Sequence, residues 1–112
     1  MAPSASLQAT EDLGGCGATY PRVALADIES AIAGEYTTTL DKAYEGAPIL
    51  DSMKLMTIHT LVMRNGFVVI GKSAPASPEN FDADKGRTFA REDAIRQLWP
   101  LMGFSLRDKL AA

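Results

Sequence analysis

Two apolar, largely β-branched runs, Met56–Arg64 and Phe67–Lys72, meet at Asn65-Gly66. Asn-Gly between such runs is the strongest short hairpin signal, because a type I′ turn needs positive φ at both central residues. A two-residue loop pairs Arg64 with Phe67, Met63 with Val68, Val62 with Val69, Leu61 with Ile70 and His59 with Lys72. One face then carries Met63, Leu61, Val68 and Ile70 and ends in His59 and Lys72. The other carries Val62, Val69, Ile58 and Phe67. Both faces are substantially apolar, so one packs on helices and the other is covered too or forms an oligomer surface. A bare hairpin is seldom stable, which predicts a further strand from this chain or from another subunit.

Helices are read on either side. Leu25, Ile28 and Ile32 make one apolar stripe in a helix over 24–33, with Asp27 and Glu29 near its positive end and Gly34 as its stop. Leu40, Ala43 and Tyr44 fit a short helix capped at Thr39 and ended by Gly46 and Pro48. Residues 74–80 hold Pro75 and Pro78 and read as a loop. A long helix starts near Asp82, a good N-cap, and runs to Trp99, where Pro100 ends or kinks it. Met102-Gly103 reads as a turn before a last short helix over 105–110. The fold class is α+β: a small antiparallel sheet, built on the hairpin, packed against an N-terminal helix and a long C-terminal helix.

The chain has 112 residues, suited to one domain. Residues 1–20 are rich in Ala, Ser, Thr and Gly and read as a flexible tail before a single domain over 21–112. No apolar run is long enough for a bilayer, and residues 1–15 lack the basic and apolar regions of a secretion signal. Cys16 is the only cysteine, so no intramolecular disulfide forms and a reduced compartment is expected. Net charge is −3, which disfavours duplex nucleic acid. Residues 1–53 set eight acids against Arg22 and Lys42, a net −6, whereas residues 54–112 carry a net +3. An anion site therefore belongs in the second half, unless the two halves simply attract each other within the fold.

Ala90, Ala94, Leu98 and Leu101 share one face of the long helix, and Arg87 and Arg91 lie in the same sector nearer its start. Arginine is poorly suited to burial unless a carboxylate or phosphate pairs with it. The helix N-terminus adds free N–H groups. Ser77, Asn80 and Asp82 stand just before it, Phe81 offers a ring, and Lys72 lies at the end of the hairpin. These seven residues, Lys72, Ser77, Asn80, Phe81, Asp82, Arg87 and Arg91, form the expected pocket for a small nucleotide-like anion. The competing assignment pairs Arg87 or Arg91 with Asp27, Glu29 or another acid of the first half. Gly86 inside this helix permits close approach of a backbone or ligand, or only weakens the helix.

Catalytic signals are thin. His59 has no partner fixed by spacing, Cys16 has nothing nearby to activate it, and one His with one Cys makes no zinc site. Gly14-Gly15-Cys16-Gly17 lacks the lysine and flanking strand of a phosphate loop. Trp99 reads as core. No enzyme activity, metal or cofactor is expected.

The run Asn65-Gly66-Phe67-Val68-Val69-Ile70-Gly71-Lys72-Ser73, followed by Ser77-Pro78-Glu79-Asn80-Phe81-Asp82, Gly86-Arg87, Ala90-Arg91 and Trp99-Pro100-Leu101-Met102-Gly103-Phe104, resembles a family of small tailed-phage and prophage accessory proteins. Its type member is an early product of coliphage N-four, and the family is the gp-forty-nine-like one. Asp27-Ile28-Glu29 and Ile32-Ala33-Gly34-Glu35-Tyr36 also fit it. The resemblance spans residues 21–107 and implies a phage or prophage protein made in the bacterial host cytoplasm; it brings no catalytic residues. By analogy with other phage accessory proteins, two roles are expected. One is an anti-defence protein that sequesters a small nucleotide-type immune signal without turnover, as a homo-oligomer. The alternative is a modulator that binds a host enzyme or defence complex through the free edge of the hairpin.

Overall fold

The computed structural model describes residues 5–15 and 20–112. The elements are α1 (Ala5–Gly15), α2 (Leu25–Ser30), β1 (Ile32–Thr39), α3 (Leu40–Ala43), a 3-10 turn (Asp51–Leu55), β2 (Thr57–Met63), β3 (Val68–Ser73), a second 3-10 turn (Pro78–Asn80) and α4 (Ala83–Ala111). The strands form one antiparallel sheet in the order β1-β2-β3. The fold is therefore α+β, with α1, α2 and α4 sharing one core with the sheet.

The third strand that the hairpin required comes from this chain. Helix α2 stops at Ser30, and Ile32–Thr39 continues as β1 rather than as helix. Ile32, Tyr36 and the run Thr37-Thr38-Thr39 favour a pleated strand, and pairing with β2 decides the matter.

The hairpin register differs by one residue from the expected one. Only Gly66 has positive φ (+89°) in the turn, and Asn65 does not, so the turn is not type I′. Gly66 N–H donates to Met63 C=O (2.9 Å) and Met63 N–H donates to Phe67 C=O (2.8 Å). This closes a three-residue loop, Arg64-Asn65-Gly66, of the kind that ends in a left-handed glycine. The Asn65 side chain accepts the Phe67 N–H at 2.9 Å, holding the turn. One residue of slip moves every β3 side chain to the other face. Leu61 thus faces Val69 rather than Ile70, and His59 faces Gly71 rather than Lys72. The inner face carries His59, Leu61, Met63, Val69 and Gly71, all buried, whereas Val68, Ile70 and Lys72 face outward.

Helix α4 lies across that inner face. A Cβ on Gly71 would stand 2.0 Å from the Ala90 carbonyl oxygen and 2.5 Å from the Ala94 nitrogen. Glycine there lets the helix backbone rest directly on β3. Gly86 leaves room for the Thr57 side chain, whose hydroxyl lies 2.6 Å from where a Cβ would stand. Asp82 caps α4, accepting the N–H groups of Asp84 and Lys85 at 3.0 Å each. The helix does not stop near Pro100; it continues to Ala111, absorbing the expected turn and short helix. Pro100 and Arg96, whose carbonyl loses its helical donor, are both exposed residues.

Residues 5–15 of the expected tail form α1, whose Leu7 is fully buried in a core with Leu25, Ile28, Leu61, Ile95 and Leu98. Glu11 ties α1 to the start of α2. It pairs with Arg22 and accepts the Leu25 N–H at 2.8 Å, capping α2. Hydrogen bonds from Arg22 and Leu25 hold its carboxyl below the usual range. Trp99 packs against the core and donates its indole N–H to Val23 C=O at 2.9 Å. Cys16 and Gly17 lie outside the described residues. No helix among the described residues is long and apolar enough to cross a membrane.

Candidate functional site

Two places concentrate chemistry, and they lie at opposite ends of α4's contact with the rest of the chain. The first is a buried ionic network. Strand register sets Thr37 opposite His59 and Glu35 opposite Leu61, so Glu35, Thr37 and His59 are neighbours on the inner face. Arg91, 3% exposed, enters from α4. Its Nε donates to Glu35 Oε1 at 2.8 Å, and its Nη2 reaches Glu29 Oε2 at 3.2 Å and Glu35 Oε2 at 3.4 Å. His59, 2% exposed, donates Nε2–H to Glu35 Oε1 at 2.7 Å, since a carboxylate can only accept. Its Nδ1 meets the Thr37 hydroxyl.

The charges in this network support one another. Burial pushes the Glu35 carboxyl upward, but hydrogen bonds from Arg91 and His59 and the Arg91 charge outweigh it and hold the carboxyl below the usual range. Burial likewise works against the Arg91 cation, and Glu35 and Glu29 overcome it, raising its pKa. Every buried side-chain nitrogen and oxygen among the described residues has a partner.

The seven residues expected around an anion do not form one enclosure. Arg91 is buried on Glu29 and Glu35, the competing assignment, whereas Arg87 is exposed. Ser77 bonds Glu79, Asn80 and Phe81 are exposed, and Asp82 is engaged as a cap. Lys72 sits on the outer face, its backbone N–H held by Asp93 Oδ2 at 2.9 Å.

The second place is a groove of about 530 Å³ between the start of α2, the hairpin tip and the far half of α4. That volume falls within the roughly 300–1,000 Å³ of small-molecule sites. Met63, Leu98, Met102 and Leu106 are among its apolar lining, with Phe67 and Leu101 half exposed at the mouth. Arg22, Arg64 and Lys109 supply positive charge, and Asp27 is the one carboxylate in the lining. Arg22 is engaged by Glu11, and Arg64 gives Nε–H to Ser30 C=O at 2.8 Å. Lys109 pairs with no described residue. The sequence carried one signal for this groove: Leu101, Met102 and Leu106 keep apolar side chains coming beyond Pro100, which suits a helix that does not stop. No three of the described His, Cys, Asp and Glu residues gather as a metal site.

Residues 23–110 match the model of the phage protein (N4 Gp49/phage Sf6 gene 66) family. The chain belongs to that family. No curated protein and no solved structure matches it. The family segment contains the whole Arg91 network and every groove residue named above except Arg22, while α1 lies outside it.

Proposed function

We propose that this phage protein is a non-catalytic accessory protein of the anti-defence kind. It captures a small anionic, nucleotide-type ligand, a signal of host immunity, in the groove along the far half of α4. The observation that carries this reading is the combination in one groove of an apolar floor and a cationic margin. The floor suits the face of a base, Phe67 offers a ring for stacking, and Arg64 and Lys109 match phosphate charge. The non-catalytic part rests on His59. Both of its ring nitrogens are engaged inside the fold, so neither is placed to exchange a proton with a substrate. The test is calorimetric titration with cyclic dinucleotides, cyclic trinucleotides and ADP-ribose derivatives, followed by chromatography of each mixture. Saturable binding with the ligand recovered intact is expected. Conversion of the ligand, or no heat across the panel, overturns the proposal.

A second reading, a modulator that docks on a host protein, draws on Leu101, Phe104 and Leu110, large apolar side chains exposed on the same half of α4. It predicts a stoichiometric host partner that is lost when Phe104 is replaced by Glu.

A further inference from the structure

The two edges of the sheet are finished differently. On β3, the outward main chain is partly sealed by side chains of α4. Asp93 accepts the Lys72 N–H at 2.9 Å, and Gln97 donates to the Ile70 carbonyl at 2.9 Å. On β1 the one such bond among the described residues runs from the Thr38 hydroxyl to the Thr39 carbonyl, at 3.5 Å. Arg64 N–H donates to Ala31 C=O (2.8 Å) and Leu40 N–H to Met56 C=O (3.1 Å), which fixes the even-numbered residues of β2 as those facing β1. Their partners Gly34, Tyr36 and Thr38 therefore point their main chain inward. The N–H and C=O groups of Glu35 and Thr37 and the N–H of Thr39 point away from the sheet, whereas the Thr39 carbonyl, at the N-cap of α3, starts that helix. Such a row is a template for another strand. Of the usual protections it has one, the inward-pointing charge of Glu35, which Arg91 neutralises. There is no proline and no lysine, and the only bulge lies at Ile32/Gly34, before the open stretch. Thr37 is exposed, and so is Tyr36, at 66%.

We infer that the β1 edge pairs with the β1 edge of a second copy, antiparallel about a two-fold axis at Thr37, giving one continuous six-stranded sheet across the dimer. The chain is self-complementary in this register. Thr37 faces the partner's Thr37 and exchanges both hydrogen bonds with it, and Glu35 faces the partner's Thr39, whose N–H reaches the Glu35 carbonyl. A two-fold axis at Glu35 would set two carboxylates opposite each other, which is unfavourable, and would run into the bulge. A two-fold axis at Thr39 would run into α3. On the outer face, Tyr36 meets the partner's Thr38, which extends the cross-strand row Ile70-Thr60-Tyr36 into the second copy. The charge on Glu35 does not oppose pairing, because its carboxylate turns inward to Arg91 and His59.

The full chain is tested by light scattering after size exclusion and by residue-resolved amide exchange. A mass of twice the monomer is expected, with the N–H groups of Thr37 and Thr39 exchanging more slowly as concentration rises. Tyr36→Glu with Thr38→Glu sets carboxylates against each other at both Tyr36–Thr38 contacts and should weaken the dimer roughly tenfold. Tyr36→Lys with Thr38→Glu turns the same contacts into ion pairs and restores it. A monomer at exchange-measurement concentration overturns the inference. So does a dimer in which those two amides exchange as fast as in dilute protein, since the contact is then elsewhere. If either variant fails to fold, the exchange pattern of the unmodified chain still decides.

Discussion

Helix α4 is one element with two occupations. From Ala83 to Trp99 it is pressed onto the sheet. Gly71 removes the last side chain between backbones, Ala90, Ala94, Ile95 and Leu98 are buried, and Arg91 reaches two acids of the first half. From Pro100 to Ala111 it leaves the sheet behind. Leu101, Phe104 and Leu110 are exposed, and Leu101, Met102, Leu106 and Lys109 form one wall of the groove. Both halves carry cations near apolar surface, but Arg91 in the first is satisfied internally by Glu29 and Glu35, whereas Lys109 in the second pairs with no described residue. A buried charge with protein partners builds the fold, whereas an exposed charge beside an open apolar floor is available to something else. The lesson is that arginine on an inward-facing helix sector identifies an anion, and the anion here belongs to the protein.

This division can be broken in order of effect. Gly71→Val places side-chain atoms inside the α4 backbone and should destabilise by about 4 kcal/mol or more, or abolish folding, in a denaturant melt. Arg91→Ala leaves Glu35 and Glu29 without their cation; about 3 kcal/mol is expected, the low end for one side of a buried pair, because both acids keep some solvent. Asp82→Ala removes the cap and should lower stability by about 1 kcal/mol. Arg64→Glu with Lys109→Glu loses the Arg64–Ser30 hydrogen bond and should lower stability by no more than about 1 kcal/mol while abolishing ligand binding.

Acid sharpens the same contrast. The Glu35 carboxyl titrates lower in the folded chain than in the unfolded one. Its stabilisation is therefore complete above the ordinary glutamate value of about 4.3 and is lost as pH falls through the lower folded value. Glu35→Gln should lower the neutral-pH melting temperature and flatten its fall in acid. A variant that melts with the same acid slope as the unmodified chain would remove Glu35 from this role.

Much of the architecture could be read from residue pattern. Asp82 as a cap, the hairpin and the need for a third strand all follow from local chemistry, and the structure bears them out. The misreadings share a cause. Asn65-Gly66 suits more than one loop length, and tertiary pairing chose the three-residue form, which flipped β3. Ile32 fits both a helical stripe and a strand, and β2 decided. Pro100 breaks a helix only where the freed carbonyl has nowhere to go, and exposure is invisible in sequence. For the site, the partners of Arg91 lie 56 and 62 residues away in the chain, so spacing along the helix could place its sector but not its acids. The groove draws on α2, the hairpin tip and α4, and no local motif joins them.

The most direct test of the division within α4 is parallel calorimetric titration of the unmodified chain, of Arg64→Glu with Lys109→Glu, and of Arg87→Ala, with the nucleotide panel. Saturable binding by the unmodified chain and by Arg87→Ala, lost in the groove variant, is the predicted result. Binding that survives in the groove variant and disappears in Arg87→Ala would place the ligand at the start of α4 and contradict the account.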